Sequence, residues 1–308
     1  MINVQFAALP VRWDEYQAPL EAAFAKAGLS VDLRRDHAAE TVDYIAYAPN
    51  GTLSDFAPYT RCKAVFSLWA GVEKIVGNDS LTMPLCRMVD PGLTAGMVEW
   101  VTGHVLRYHL DIDRSIVMQD QWLPQTPPLA MQRPVTILGL GALGQACAKT
   151  LSQLGFPVTG WARSAKDIDG VTCLHGSEGL QQALSTAEIV VLLLPDTPAT
   201  ENTLNADTLA LLPKGARIIN PGRGPLIDDT ALLAALANGH IAHATLDVFR
   251  IEPLPMGHPY WAHPNVTVTP HIAAETRAIT SAPVIAENIR RGETNEPYLH
   301  LVDRNLGY

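Results

Sequence analysis

The 308-residue sequence predicts an α/β protein made of two doubly wound parallel-sheet domains. Three observations carry that prediction. Short apolar runs alternate with amphipathic stretches from residue 134 onward, the N-terminal third repeats the rhythm more weakly, and a glycine-rich turn joins a strong strand to a strong helix.

In the C-terminal part the apolar runs are Val135-Thr136-Ile137-Leu138, Val158-Thr159-Gly160-Trp161, 189–194, 216–219, Ala244-Thr245-Leu246 and Val266-Thr267-Val268. Runs this short, rich in β-branched residues and bounded by Gly, Pro or Asn, read as strands buried on both faces. The helices between them imply a parallel sheet. One helix is expected at 142–154, after the glycine turn; another at 229–238 opens with acids suited to a helix N-terminus and stops at Gly239. The N-terminal part offers strands at 2–6, 44–47 and 64–68 and a helix near 15–27 ended by Gly28. Between the two parts, 96–111 reads as a long helix and Pro124-Gln125-Thr126-Pro127-Pro128 as a stiff surface connection. The last helical tract, 282–289, can fold back onto the first part.

Composition narrows the function classes. The chain length suits two domains with sizeable cores. With 47% apolar and 17% charged residues and no apolar run long enough to span a bilayer, neither a disordered nor a membrane-spanning chain fits. Acidic residues outnumber Lys plus Arg by 31 to 22, and no basic cluster is longer than Arg34-Arg35 or Arg290-Arg291, which argues against nucleic acid as a partner. Met1-Ile2-Asn3-Val4 lacks the features of an export signal, so a cytoplasmic address is expected. Cys62, Cys86, Cys147 and Cys173 form no Cys-x-x-Cys pair and read as inert thiols, with no disulfide framework and no metal site expected.

Gly139-Leu140-Gly141-Ala142-Leu143-Gly144 follows a strand and opens a helix, the context that gives a G-x-G-x-x-G match its meaning. The first glycine permits the tight turn, the second lets backbone N–H groups approach a pyrophosphate, and the third brings helix and strand together. The group that reads the adenosine ribose belongs about 20 residues on, at the tip of the second strand. There the sequence has Trp161-Ala162-Arg163-Ser164, with no acid to accept from a 2′-hydroxyl but with two donors suited to a 2′-phosphate. This points to NADP(H), NADPH being preferred. The alternative is that Arg163 is a solvated residue at a strand end and that the site tolerates NAD.

Three further segments follow or end strands: Asn220-Pro221-Gly222-Arg223-Gly224, then Leu246-Asp247-Val248-Phe249-Arg250-Ile251-Glu252-Pro253-Leu254-Pro255, then Thr269-Pro270-His271. Ligands of an open parallel sheet lie beyond the carboxyl ends of its strands, so Arg223, Glu252 and His271 are placed to converge. Taken singly, each has an ordinary explanation as a solvated or structural residue.

Together with Leu194-Pro195-Asp196-Thr197-Pro198-Ala199-Thr200 and Thr-Pro-His-Ile-Ala, these segments make nearly the whole chain resemble the D-isomer-specific 2-hydroxyacid dehydrogenases, most closely their glyoxylate/hydroxypyruvate reductase branch. The resemblance implies that Arg223 grips the substrate carboxylate and keto oxygen, that His271 is the acid/base and that Glu252 pairs with it. It also implies that Met97 and Asp247 lie near the nicotinamide, with Leu194, Pro195, Thr200, Pro221 and Gly222 along the cofactor. The family's substrate loop corresponds to Ser67-Leu68-Trp69-Ala70-Gly71-Val72-Glu73, where the N–H groups of Ala70 and Gly71 are free to hold a carboxylate. Trp69 replaces a glycine common in the family; it either narrows the pocket toward two- or three-carbon acids or packs in the core. By the same resemblance, residues 1–97 plus 271–308 form a substrate domain and 98–270 a cofactor domain, with the active site in the cleft between them. Helix 96–111 and segment 112–128 resemble the family's dimerisation region, so a homodimer is expected.

The expected reaction is hydride transfer from NADPH to a small 2-keto acid, glyoxylate or hydroxypyruvate, with Arg223 polarising the carbonyl and His271 protonating the new alkoxide. Two alternatives stand beside it: a nucleotide-sensing co-regulator of the same fold, and a dehydrogenase for another 2-hydroxy acid.

Overall fold

The computed structural model describes residues 1–122 and 124–307, which divide into two compact units. The first comprises Met1–Leu93 and Glu275–Tyr308, the second Thr94–Ala274.

In the first unit, β1 (Ile2–Ala7), α1 (Pro10–Lys26), β2 (Val31–Arg34), β3 (Tyr44–Tyr47), β4 (Ala64–Ser67) and β5 (Leu85–Cys86) build a five-stranded sheet of order β2-β1-β3-β4-β5. Every pairing in it is parallel, and the strand order is that of flavodoxin-like doubly wound folds. Strands β3 and β4 are buried at every position, which is why they stand out as continuous apolar runs. The edge strand β2 reads Val-Asp-Leu-Arg and is only half covered. Helix α1 begins earlier than expected because Pro10 suits a first-turn position, where its missing N–H costs nothing.

The chain passes into the second unit through α2 (Pro91–His109), followed by α3 (Ile112–Val117). Leu123, within the segment expected to mediate dimerisation, lies outside the described residues, as does Tyr308. Then come β6 (Val135–Leu138), α4 (Ala142–Gln153), β7 (Val158–Ala162), β8 (Thr172–His175), α5 (Gly176–Ser185), β9 (Ile189–Leu192) and α6 (Ala206–Ala210). The unit continues with β10 (Ala216–Asn220), α7 (Asp229–Ala237), β11 (Ile241–Leu246) and β12 (Val266–Val268). Its seven strands are ordered β12-β11-β10-β9-β6-β7-β8, all parallel, the Rossmann arrangement with one strand added at the edge. Both fold units are thus the parallel α/β type that the sequence predicts. Two apolar clusters cover the faces of this sheet. One gathers Val190, Ile218, Leu232 and Leu246, the other Val101, Ile137, Cys147 and Val191.

The last helix, α8 (Ala278–Glu293), belongs to the first unit and buries Ala282, Ile285, Ala286 and Ile289 against Val4, Phe6 and Leu20. Cys86 and Cys147 are buried, and among the described residues no cysteine is disulfide-bonded. Among the described residues, no helix is long and apolar enough to cross a membrane.

Candidate active site

Because the second sheet is wholly parallel, the loops leaving β6, β7, β9, β10, β11 and β12 all emerge at one edge. That edge carries most of the candidate residues. The turn after β6 needs its glycines. Gly139 has φ of 106°, and a Cβ on it would strike the Leu193 carbonyl, while a Cβ on Gly144 would strike the carbonyl oxygen of Gly139. Gly141 differs, since a Cβ there would meet nothing within 4 Å, leaving an open approach to the start of α4. The N–H groups of Ala142, Leu143 and Gly144 begin that helix without intrahelical acceptors and form its positive end. Open approach, helix N-terminus and close packing together fit the pyrophosphate of a dinucleotide.

At the tip of β7, Ala162 is buried and Arg163 and Ser164 are exposed. The Trp161 indole N–H donates to the Gly176 carbonyl at 2.8 Å, which pins the ring beside the tip. After β9, Leu194 is nearly buried. The Thr200 hydroxyl donates to the Pro195 carbonyl at 2.6 Å and accepts the Thr197 N–H at 3.0 Å, setting the shape of that loop.

After β10, the side chain of Asn220 does the shaping. Its oxygen accepts the Gly222 N–H at 3.1 Å and its amide donates to the Arg223 carbonyl at 2.9 Å. Pro221 and Gly222 are buried beneath, and the Arg223 guanidinium donates to the Gly222 carbonyl at 2.7 Å. The loop after β11 presses against this one so closely that a Cβ on Gly224 would overlap the backbone of Phe249 and Arg250.

His271 and Glu252 meet directly: Nδ1 of His271 lies 2.8 Å from Oε2 of Glu252, and Oε1 of the same carboxylate accepts the Phe249 N–H at 2.9 Å. The Glu252 hydrogen bond raises the His271 pKa above the ordinary histidine value, against the opposing effects of burial and of the Arg223 charge. Burial alone would push the Glu252 carboxyl upward. The hydrogen bonds from His271 and Phe249, with the charges of His271 and Arg223, outweigh it and leave the carboxyl below its usual value. Arg223 therefore acts electrostatically on both partners, so the structure brings all three sequence-predicted residues into one group.

Met97 and Asp247 are placed differently from the exposed candidates. Met97 is 6% exposed within the apolar cluster that includes Ala273, and Asp247 is fully buried. The Asp247 carboxylate accepts the Thr269 hydroxyl at 2.6 Å and the N–H groups of Ile272 and Ala273 at 2.9 Å. In the first unit, the Ser67 hydroxyl accepts the Trp69 N–H at 3.0 Å and stiffens the loop after β4. Trp69 is half-buried against the core of that unit, which favours packing as at least one of its uses. Ala70 and Gly71 are half-exposed beyond it.

Residues 103–273 match the family model for the NAD binding domain of D-isomer specific 2-hydroxyacid dehydrogenases. A glyoxylate/hydroxypyruvate reductase A from Serratia proteamaculans is 41% identical over 257 residues, covering 80% of this chain and 82% of that protein. The chain is a D-isomer-specific 2-hydroxyacid dehydrogenase family member. Among solved structures, a dehydrogenase of this family from Xanthobacter autotrophicus Py2, in complex with NADPH and MES, is 42% identical with a TM-score of 0.92, covering 100% of this chain and 99% of that one. An NADPH-dependent glyoxylate/hydroxypyruvate reductase from Sinorhizobium meliloti, in complex with NADP and sulfate, is 32% identical with a TM-score of 0.82 over 100% of this chain and 99% of its own.

Two residues of this dehydrogenase matter more than sequence reasoning gave them. Asp247 is the acceptor around which the His271 turn is wound. Arg250 ties three loops together, donating to the Ile227 carbonyl at 2.8 Å and to the Asn202 side chain. Arg250 lies beside a tight contact, since Gly224 leaves room only for backbone there, and that contact exists only in the folded chain.

Proposed function

We propose that this dehydrogenase reduces small 2-keto acids, glyoxylate to glycolate and hydroxypyruvate to glycerate, preferring NADPH to NADH. The observation that carries the reading is the 2.8 Å His271–Glu252 pair within the field of Arg223. The reductases and NADP-bound dehydrogenases to which the chain is similar support the substrate class and the cofactor.

Residues 98–270 act as the cofactor domain and residues 1–97 plus 271–308 as the substrate domain, bounds within a few residues of those of the two units. When bound, the nicotinamide supplies the hydride. The N–H groups of Ala70 and Gly71 hold the substrate carboxylate, and the planar fork of Arg223 bridges carboxylate and keto oxygen, drawing electron density from the carbonyl carbon. Negative charge gathers on the keto oxygen as its carbon becomes tetrahedral, and His271 as imidazolium delivers a proton to it. Glu252 keeps that proton on the ring by raising its pKa and fixes the ring by holding Nδ1. Arg163 and Ser164 favour the 2′-phosphate at the tip of β7. We further assign the working form as a cytoplasmic homodimer joined through α2 and the segment after it.

The experiment is NADPH oxidation by purified protein with glyoxylate, hydroxypyruvate, pyruvate and a branched 2-keto acid, repeated with NADH. Faster turnover of the first two with NADPH is expected. A preference for the branched acid overturns the substrate assignment, and saturable NADPH binding without turnover overturns the enzyme reading.

A further inference from the structure

Most arginines of the first unit have carboxylate partners. Arg12 pairs with Glu15 and Glu275, Arg34 with Asp32, Arg61 with Asp43, and Arg290 with Glu287 and Glu296. Arg87 is half-buried and has none: among the described residues its guanidinium makes no ion pair or hydrogen bond, and burial alone lowers its pKa. The titratable side chain that feels it is His300, held below the ordinary histidine value by burial and then by the Arg87 charge, so the neighbourhood offers no counterion. A desolvated cation left unpaired is costly to the folded state, and an anion or polar oxygen from outside the chain would offset that cost.

The position of Arg87 says which ligand. Strand β5 pairs with β4 in the register Val65↔Leu85 and Phe66↔Cys86, which ends just before Arg87 and just before Ser67, the first residue of the proposed carboxylate loop. Phe66, Leu68, Cys86 and Met88 all enter one apolar cluster; by alternation, Ser67 and Arg87 share the opposite face of the sheet. Two backbone bonds fix the arrangement. The Met88 N–H donates to the Trp69 carbonyl at 3.0 Å, and the Arg87 N–H donates to the His300 carbonyl at 3.0 Å. The residue after Arg87 is thus bonded to the residue before Ala70, which sets Arg87 beside the loop assigned to the substrate carboxylate.

We propose that Arg87 is a specificity-determining residue whose guanidinium receives the C3 oxygen of a three-carbon 2-keto acid, so that it assists hydroxypyruvate and is idle with glyoxylate. This rests on the proposed reductase function and adds to it a residue that separates the two substrates. Because the carboxylate has its own donors, removing Arg87 leaves the two-carbon substrate anchored. A hydrogen bond between a charged donor and a substrate oxygen sets the size of the effect at roughly ten- to a hundredfold.

The test is Arg87→Met in the full chain, with kcat and KM measured for both substrates under saturating NADPH. The ratio of kcat/KM for hydroxypyruvate to that for glyoxylate is expected to fall by roughly ten- to a hundredfold, with glyoxylate turnover and NADPH affinity nearly unchanged. The melting temperature is expected to hold, because the variant removes an unpaired, half-buried charge. Equal losses on both substrates, or an unchanged ratio, overturn the assignment. If Arg87→Met does not fold, Arg87→Gln carries the same expectation for the ratio. A parent protein inactive on both substrates overturns the reductase reading itself, and this inference with it.

Discussion

Asp247 fixes the backbone of His271. The Asp247 carbonyl accepts the His271 N–H at 2.8 Å, while its buried carboxylate accepts the next two N–H groups and the Thr269 hydroxyl. His271 sits at φ of 54°, a left-handed conformation unfavourable for a residue with a Cβ, and these bonds hold it there. Asp247→Asn places an amide donor against groups that are themselves donors. It is expected to destabilise the protein by about 1–3 kcal/mol and to lower kcat, read by thermal melting and steady-state rates. A variant with parental melting temperature and kcat contradicts this role.

Glu252→Gln removes the charge that raises the His271 pKa. Reduction needs the imidazolium, so activity is lost as pH rises through the His271 pKa. Lowering that pKa moves the alkaline limb of the kcat/KM profile to lower pH. An unmoved limb would falsify the assignment of Glu252.

Arg223→Lys keeps a positive charge but loses the planar fork. We expect a fall in kcat/KM for the keto acid of at least tenfold, with NADPH affinity measured by nucleotide fluorescence nearly intact. Near-parental kcat/KM in this variant shows that a point charge suffices.

Arg163→Ala tests cofactor choice. NADPH affinity is expected to weaken by roughly ten- to a hundredfold while NADH affinity barely moves, because only the first carries a 2′-phosphate. Equal weakening of both, by titration, assigns Arg163 to adenine or to the loop instead.

Much of this was legible in the sequence because the central strands are buried on both faces and the loops between them carry rare residue combinations. Val135–Leu138 and Ile189–Leu192 have no exposed position, and the turn between β6 and α4 leaves no room for a Cβ at Gly139 or Gly144. The edge strands β2 and β8 were not legible, since their partly exposed positions mix apolar with polar residues. Strand β5 has only two residues, too few for a periodic signal. At the site, the Arg223, Glu252 and His271 group could be named from strand ends and resemblance. The use of Asp247 could not, because a buried acid is explained only by the donors that surround it, and those come from a turn formed in three dimensions.

The most direct measurement is a single turnover. Parent protein and His271→Ala, each loaded with NADPH, are mixed with hydroxypyruvate near neutral pH, and loss of the reduced nicotinamide absorbance is followed. The parent should oxidise its bound NADPH rapidly, and His271→Ala should retain NADPH and oxidise it at least a hundredfold more slowly, in line with the loss of a general acid. Oxidation by His271→Ala at the parental rate would contradict the assignment of His271 as the proton donor.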